Sequence, residues 1–245
     1  MTDIEIMKAL CVPSYSNSNG FTEDEKRAVM RDLLKDSGYT EHEGTLTSVW
    51  TKSDNITTLV STHIDMVRAI TKPFAELNDG IYFGTWDNLI TNSAIVSLMM
   101  NGGFADNVAL AFDGEEESCS FAGLKEAIQY FEDKQILLKH IITTDVTHEA
   151  FDTDCVASIE NMNAYDDEAE DMLSKAYRVF GDNYYFPQFG APDEAYLLKR
   201  LPRHIPGFSC CIPSSGPMHS NAGMTVKEDV YVGYRTGLAK IANIL

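Results

Sequence analysis

The sequence predicts an α/β fold, a three-layer sandwich whose central, mostly parallel but mixed sheet is flanked by helices. Three observations predict it. Apolar strand-like runs alternate with amphipathic helical stretches along all 245 residues, the pattern of a sheet buried on both faces. No repeat, low-complexity segment or Gly/Ser/Pro linker divides the chain. Polar residues gather at the ends of the apolar runs, where open α/β sheets place their sites.

In chain order, Ile4, Met7, Leu10 and Cys11 have helical spacing, and the turn from Val12-Pro13-Ser14 to Asn19-Gly20 ends that element. Thr22 to Glu25 resembles a capping box opening a helix to Lys35, with Gly38 as its stop. Leu46–Trp50 and Thr57–Ser61 read as strands, and Gly80–Phe83 as a short hairpin-like piece. Asn88–Met100 reads as helix, Asn107–Phe112 as strand, Phe121–Phe131 as helix and Lys139–Thr144 as strand. A strand at Val156–Ile159, helices at Glu168–Val179 and Asp193–Arg200, a strand at Phe208–Ile212 and a helix at Val230–Ile244 complete the series.

The 44% apolar content is that of a globular protein. A net charge of -18 argues against nucleic acid and anionic membranes, both of which need a basic face. Five cysteines, an odd number without C-x-x-C spacing, point to reduced thiols, with Cys210-Cys211 in a buried strand. The acidic start Met-Thr-Asp-Ile-Glu and the lack of any apolar run of about 18 residues lead to the expectation of a cytoplasmic protein.

The chemistry lies in an ordered set. His63-x-Asp65 closes one strand, and a ligating imidazole needs its other nitrogen fixed by a carboxylate or carbonyl. Taken alone, His63 reads more readily as a structural histidine and Asp87 as a helix cap. Glu115-Glu116-Glu117 repel one another unless solvated or neutralised by a cation or a proton. Asp145 ends the apolar run Ile141 to Thr144, and His219 sits in the constrained loop Gly216 to Ser220. Together, His, Asp, Glu, Asp, His is an imidazole and carboxylate set suited to zinc.

At these residues the chain resembles the co-catalytic dizinc exopeptidases, the clan of leucyl and glutamyl aminopeptidases and of related carboxypeptidases and deacylases. The resemblance runs through Met7–Ser14 (MKALCVPS), Ser61–Val67 (STHIDMV), Asp79–Gly84 (DGIYFG) with Asp87, Asp145–His148 (DVTH), and Pro217–Ser220 (PMHS) with Asp229-Val230. It implies that His63 and Asp145 hold one zinc, Glu117 and His219 the other, and Asp87 both. Asp65 would orient His63, and Glu116 would be the base that delivers a dizinc-activated water and then protonates the leaving amine. Glu115 as base with Glu116 as ligand is the other register, but it forces Phe121 into a glycine position. Cobalt or manganese are alternative metals.

This chain departs from the family in two places, with Leu89 to Ser93 after the bridging aspartate and Gly223 four residues after His219. Only 24 residues separate His63 from Asp87 and 74 separate Asp145 from His219, leaving no room for a β-barrel insert or a lid. The resemblance therefore implies a single catalytic domain over residues 1–245, an aminopeptidase acting on N-terminal residues of peptides. The alternatives are an N-acyl amino acid deacylase or carboxypeptidase, and a non-catalytic metal-binding relative. Side-chain preference and oligomeric state stay open. His148, Asp193, Trp86 and the aromatic run Tyr184 to Phe186 are further candidates for the site's walls, each with a bland reading as loop, helix cap or core.

Overall fold

A computed structural model describes residues 1–15, 23–160, 162, 167–187, 197–198, 201 and 203–245. Its centre is an eight-stranded mixed sheet in the order β1-β2-β6-β3-β7-β10-β8-β9. The strands are β1 Thr40–Glu43, β2 Thr47–Thr51, β3 Thr58–His63, β6 Val108–Asp113, β7 His140–Thr147, β8 Ala157–Glu160, β9 Tyr184–Tyr185 and β10 Gly207–Pro213. The four middle strands, β6, β3, β7 and β10, are parallel, so their carboxyl ends share one edge. Flanking them, β2 runs antiparallel to β6 and β8 antiparallel to β10.

Alternation along β3 shows why these residues form a doubly covered sheet. Leu59 faces one core cluster with Ala109, Ile128, Phe131 and Ile141, whereas Val60 faces the other with Leu110, Ile142 and Phe208. Each such side chain contributes about 1.5–3 kcal/mol on burial, so truncating Leu59 to Ala, with its residual cavity, costs about 2–5 kcal/mol.

Helix α3, Leu89–Met100, is apolar on nearly every side and is buried accordingly. It packs against β3 and β7 beside α1, Asp3–Leu10, α2, Asp24–Leu34, and the closing helix α6, Glu228–Ile244. Helix α4, Ala122–Asp133, covers β2 and β6 on the opposite face. Helix α5, Asp167–Phe180, lies on α6, where Gly237 lets the Phe180 ring approach a position that a Cβ would fill.

The expected elements recur with boundaries shifted by a few residues, with some additions. A second antiparallel sheet joins β4 Ala75–Asn78, β5 Ile81–Gly84 and β11 Met224–Lys227 in the order β11-β5-β4. It ties the loop carrying His219 to the segment preceding Asp87. Asp145 does not end its strand: β7 continues to Thr147 because Ile212 and Pro213 of β10 pair with Val146 and Thr147. The capping box lies at Thr2 and Glu5 of α1, while Thr22 falls outside the described residues. So do Asp193 and most of the Asp193–Arg200 helix. Trp86 is fully buried and meets Tyr82 edge-on, which makes it core rather than pocket floor. Tyr184 packs on the core beside Phe180, and Phe186 is exposed. Cys210 and Cys211 are buried on β10, and all five cysteines are free thiols. Among the described residues no helix is long and apolar enough to cross a membrane.

Candidate metal centre

The parallel strands deliver the six expected residues to one place. His63 is the last residue of β3 and is fully buried. Asp87 precedes α3, where the helix N-terminus favours a carboxylate, and the Asp87–Asn88 peptide is cis. Glu116 and Glu117 lie on the loop after β6, Asp145 on β7 and His219 on the loop between β10 and β11.

His63 Nε2 stands 3.2 Å from Asp87 Oδ1, 3.6 Å from Asp145 Oδ1 and 3.9 Å from Glu116 Oε2. His219 Nε2 stands 2.9 Å from Asp87 Oδ2 and 3.5 Å from Glu117 Oε2. The two oxygens of Asp87 thus face two different imidazoles. Two groups able to hold a cation follow, His63 with Asp87 and Asp145, and Asp87 with Glu117 and His219; Glu116 and Glu117 also converge with His63.

The loops are held by a buried shell. Asp65 accepts the backbone N–H groups of Glu116 (3.3 Å) and Glu117 (3.0 Å) on its two oxygens. Its own carbonyl is 3.2 Å from His63 Nδ1, closer than its carboxylate at 3.6 Å. Asp65 therefore orients His63 mainly through its backbone, and its carboxylate fixes the glutamate loop. The side chain lies past the strand's end, so the strand alternation expected from His63-x-Asp65 does not operate there.

Lys26, fully buried, donates to the Ile64 carbonyl at 2.9 Å, and Ser14 Oγ donates to the same oxygen. Burial lowers the Lys26 ammonium to about 8, with Asp65 opposing. Gly123 fits against Gly114, whose backbone a Cβ would meet at 2.6 Å. Glu115, Cys119, Phe121 and His219 all hold positive φ values between 51° and 66°, a costly backbone state for non-glycine residues that concentrates at functional sites.

The electrostatics call for positive charge. Burial pushes Glu116 up to about 7, Glu117 to about 8 and Asp145 to about 6, each also raised by neighbouring carboxylates. Burial opposes protonation of His63, but Glu116, Asp145, Asp65 and Asp87 outweigh it and raise it well above the ordinary imidazole range. Asp87 is held far below the usual carboxylate range because its bonds to His219 and His63 overcome burial. Among the described residues, Glu117 Oε1 is buried with no hydrogen-bond partner. Buried polar atoms of this kind are paired or bind an ion. A divalent cation fits this donor set.

The cluster opens on a cleft of about 540 Å³, walled by Val67, Cys119, Val146, Met218 and the exposed His148. His148 Nδ1 lies 3.1 Å from the Ser214 carbonyl, so the residue lines the site as well as bracing a loop. Sequence reasoning missed Lys26, whose signal was only a lysine on an amphipathic helix. It also missed Glu160, a carboxylate closing a buried strand, which lines the same cleft.

No protein-family model and no curated protein sequence matches the chain. Solved structures do. The TET1 peptidase of Pyrococcus horikoshii superposes with a TM-score of 0.73 at 12% identity, covering 100% of both chains. The aminopeptidase APDkam598 of Desulfurococcus kamchatkensis gives 0.72 at 11% identity over 99% of this chain and 95% of the other. The aminopeptidase PepT of Bacillus cereus gives 0.70 at 12%, over 98% and 96%. At such identities the likeness is one of fold, and it extends over the full chain. The mixed sheet between helices matches that of these peptidases.

Proposed function

We propose that the protein is a metal-dependent aminopeptidase, one catalytic domain over residues 1–245 that removes N-terminal residues from peptides and carries two divalent cations, zinc first among them. The observation that carries this reading is the pair of imidazoles facing opposite oxygens of the buried Asp87. His63, Asp145 and Asp87 would hold one cation, and Glu117, His219 and Asp87 the other. When bound, the cations would lower the pKa of water and polarise the scissile carbonyl.

The chain's own groups do the rest. Glu116 lines the cleft beside His63 without belonging to either three-residue group built on Asp87. A glutamate beside the metal-bound water is what general-base catalysis requires. Glu116 Oε2 takes the proton from the attacking water and returns it to the leaving amine. Asp65, gripping the backbone of Glu116 and Glu117, keeps base and ligand in register. Val67, Val146 and Met218 give the cleft apolar wall beside the cluster. Peptide substrates, a zinc preference and a cytoplasmic setting belong to this same reading.

The test uses aminoacyl-coumarin amides and their N-acetylated counterparts. Free-amine compounds turn over, activity disappears with a chelator, and zinc or cobalt restores it. Turnover of N-acyl compounds alone would replace this reading with the deacylase one.

A further inference from the structure

Beyond the metal cluster, the same cleft runs along β7, β10 and β8 and ends at Glu160, with Glu149 at its exposed rim. Glu160 pairs with Ser209 of β10, and Ser209 pairs with Thr143 of β7. Side chains at paired positions, and at every second residue, share a face, so Glu160, Ser209, Thr143 and Asp145 all project to the cleft side. Glu160 is 2% exposed, and its Oε1 finds no hydrogen-bond partner among the described residues. No lysine or arginine is among the residues described as lining the cleft. Burial raises the Glu160 carboxyl, the Ser158 and Thr147 hydroxyls partly offset this, and Glu149 adds to it.

A buried carboxylate with a free oxygen at the end of a substrate cleft lacks a partner that a substrate can supply. Buried charges persist where they are paired, and a cation meeting a carboxylate out of water makes a strong, short hydrogen bond.

We propose that this end of the cleft is the side-chain pocket for the N-terminal residue and takes a cationic side chain, lysine or arginine, with Glu160 receiving its charged head and Glu149 adding negative charge at the rim. The proposal rests on the aminopeptidase reading. Distance favours a side chain over the α-amino group. Glu160 stands two strands from Asp145 and two residues back along them, about 12 Å at the usual strand spacing and rise, whereas the α-amino group must lie beside the scissile carbonyl. A lysine's flexible four-carbon stem carries its ammonium towards Glu160, whose own side chain lines the cleft. On the way it passes Cys211, Val146 and Met218, which suit the methylenes.

The test compares kcat/KM for lysyl, arginyl, leucyl and glutamyl coumarin amides. The wild type should favour lysyl and arginyl over glutamyl by at least tenfold. Glu160→Gln should lower the lysyl-to-leucyl ratio by tenfold or more, and Glu149→Gln by two- to threefold. Because Glu149 is exposed, its variant keeps the question open to test if Glu160→Gln does not fold. A wild type that prefers leucyl or glutamyl substrates, or an unchanged ratio in both variants, would overturn the proposal.

If no aminoacyl amide is cleaved, the peptidase reading fails, and the pocket is read separately by calorimetry with L-lysinamide against L-norleucinamide. Lysinamide binding tenfold tighter in the wild type, no tighter in Glu160→Gln, and with the preference reduced two- to threefold in Glu149→Gln, supports the cationic pocket. Equal binding of the two overturns it.

Discussion

Around the loops that form the site, Asp113 accepts from Thr47 Oγ1 and Ser61 Oγ, Glu23 pairs with Arg27 at 3.3 Å, and Lys26 donates to Ile64. Facing the cleft, Glu117 Oε1 and Glu160 Oε1 are buried and have no hydrogen-bond partner among the described residues. Both regions place charge out of water, at a cost of several kcal/mol per ion before compensation. In the first region the chain supplies at least one partner for every charged side chain. In the second a visiting cation or substrate has to supply it. The contrast separates groups that build the site from groups that use it, and substitutions in the two regions should fail differently.

The largest effect is expected at the base. Glu116→Gln should lower kcat by about 10³-fold, within the range for general-base catalysis, while metal content measured by atomic absorption stays at the wild-type level. In the supporting region, Arg27→Met leaves Glu23, which is 1% exposed and already raised to about 7 by burial, without its ion partner. Chemical denaturation should show a loss of about 3–5 kcal/mol, with metal stoichiometry unchanged in the folded fraction.

Asp65→Asn joins the two regions. An amide has one accepting oxygen for the two N–H groups of Glu116 and Glu117, and its NH₂ faces the other donor. Metal affinity should weaken by about 10- to 100-fold, the usual cost of losing a group that orients a ligand, in a competition titration with a chromogenic chelator.

The smallest effect is a pH dependence. Burial raises Asp113 to about 6 in the folded protein, against about 3.9 unfolded. The folded value is the higher one, so the stability this group contributes is present below the unfolded value. It is lost as pH rises through about 6. Urea melts should show wild type losing ground to Asp113→Asn between pH 4 and pH 7.

Much of this contrast was legible in the sequence, though unevenly. His63, Asp87, Glu116, Glu117, Asp145 and His219 were each visible because a polar residue interrupts or ends an apolar run, and the structure gathers all six. The sheet was legible from runs such as Val108–Asp113, buried throughout. Two strands of the small sheet were not: β4 and β11 have four residues each with alternating burial, too short for periodicity to declare them. Lys26 gave no sign because a lysine on a helix is ordinarily solvated, and its burial depends on the tertiary position of the Ile64 carbonyl. Glu160 carried the same signature as Asp145, a carboxylate after buried strand residues, but lacked a motif to single it out. Asp65 was identified, yet its division between a carbonyl for His63 and a carboxylate for the glutamate loop depends on chain path beyond the strand.

The most direct test of the two-cation account is a cobalt titration of the chelator-stripped protein, followed by visible absorption. The account predicts saturation at about two equivalents per chain, falling to about one in His219→Ala, because only the Glu117 side of Asp87 loses its imidazole. Saturation at one equivalent, or no uptake, in a preparation that cleaves aminoacyl amides would contradict it.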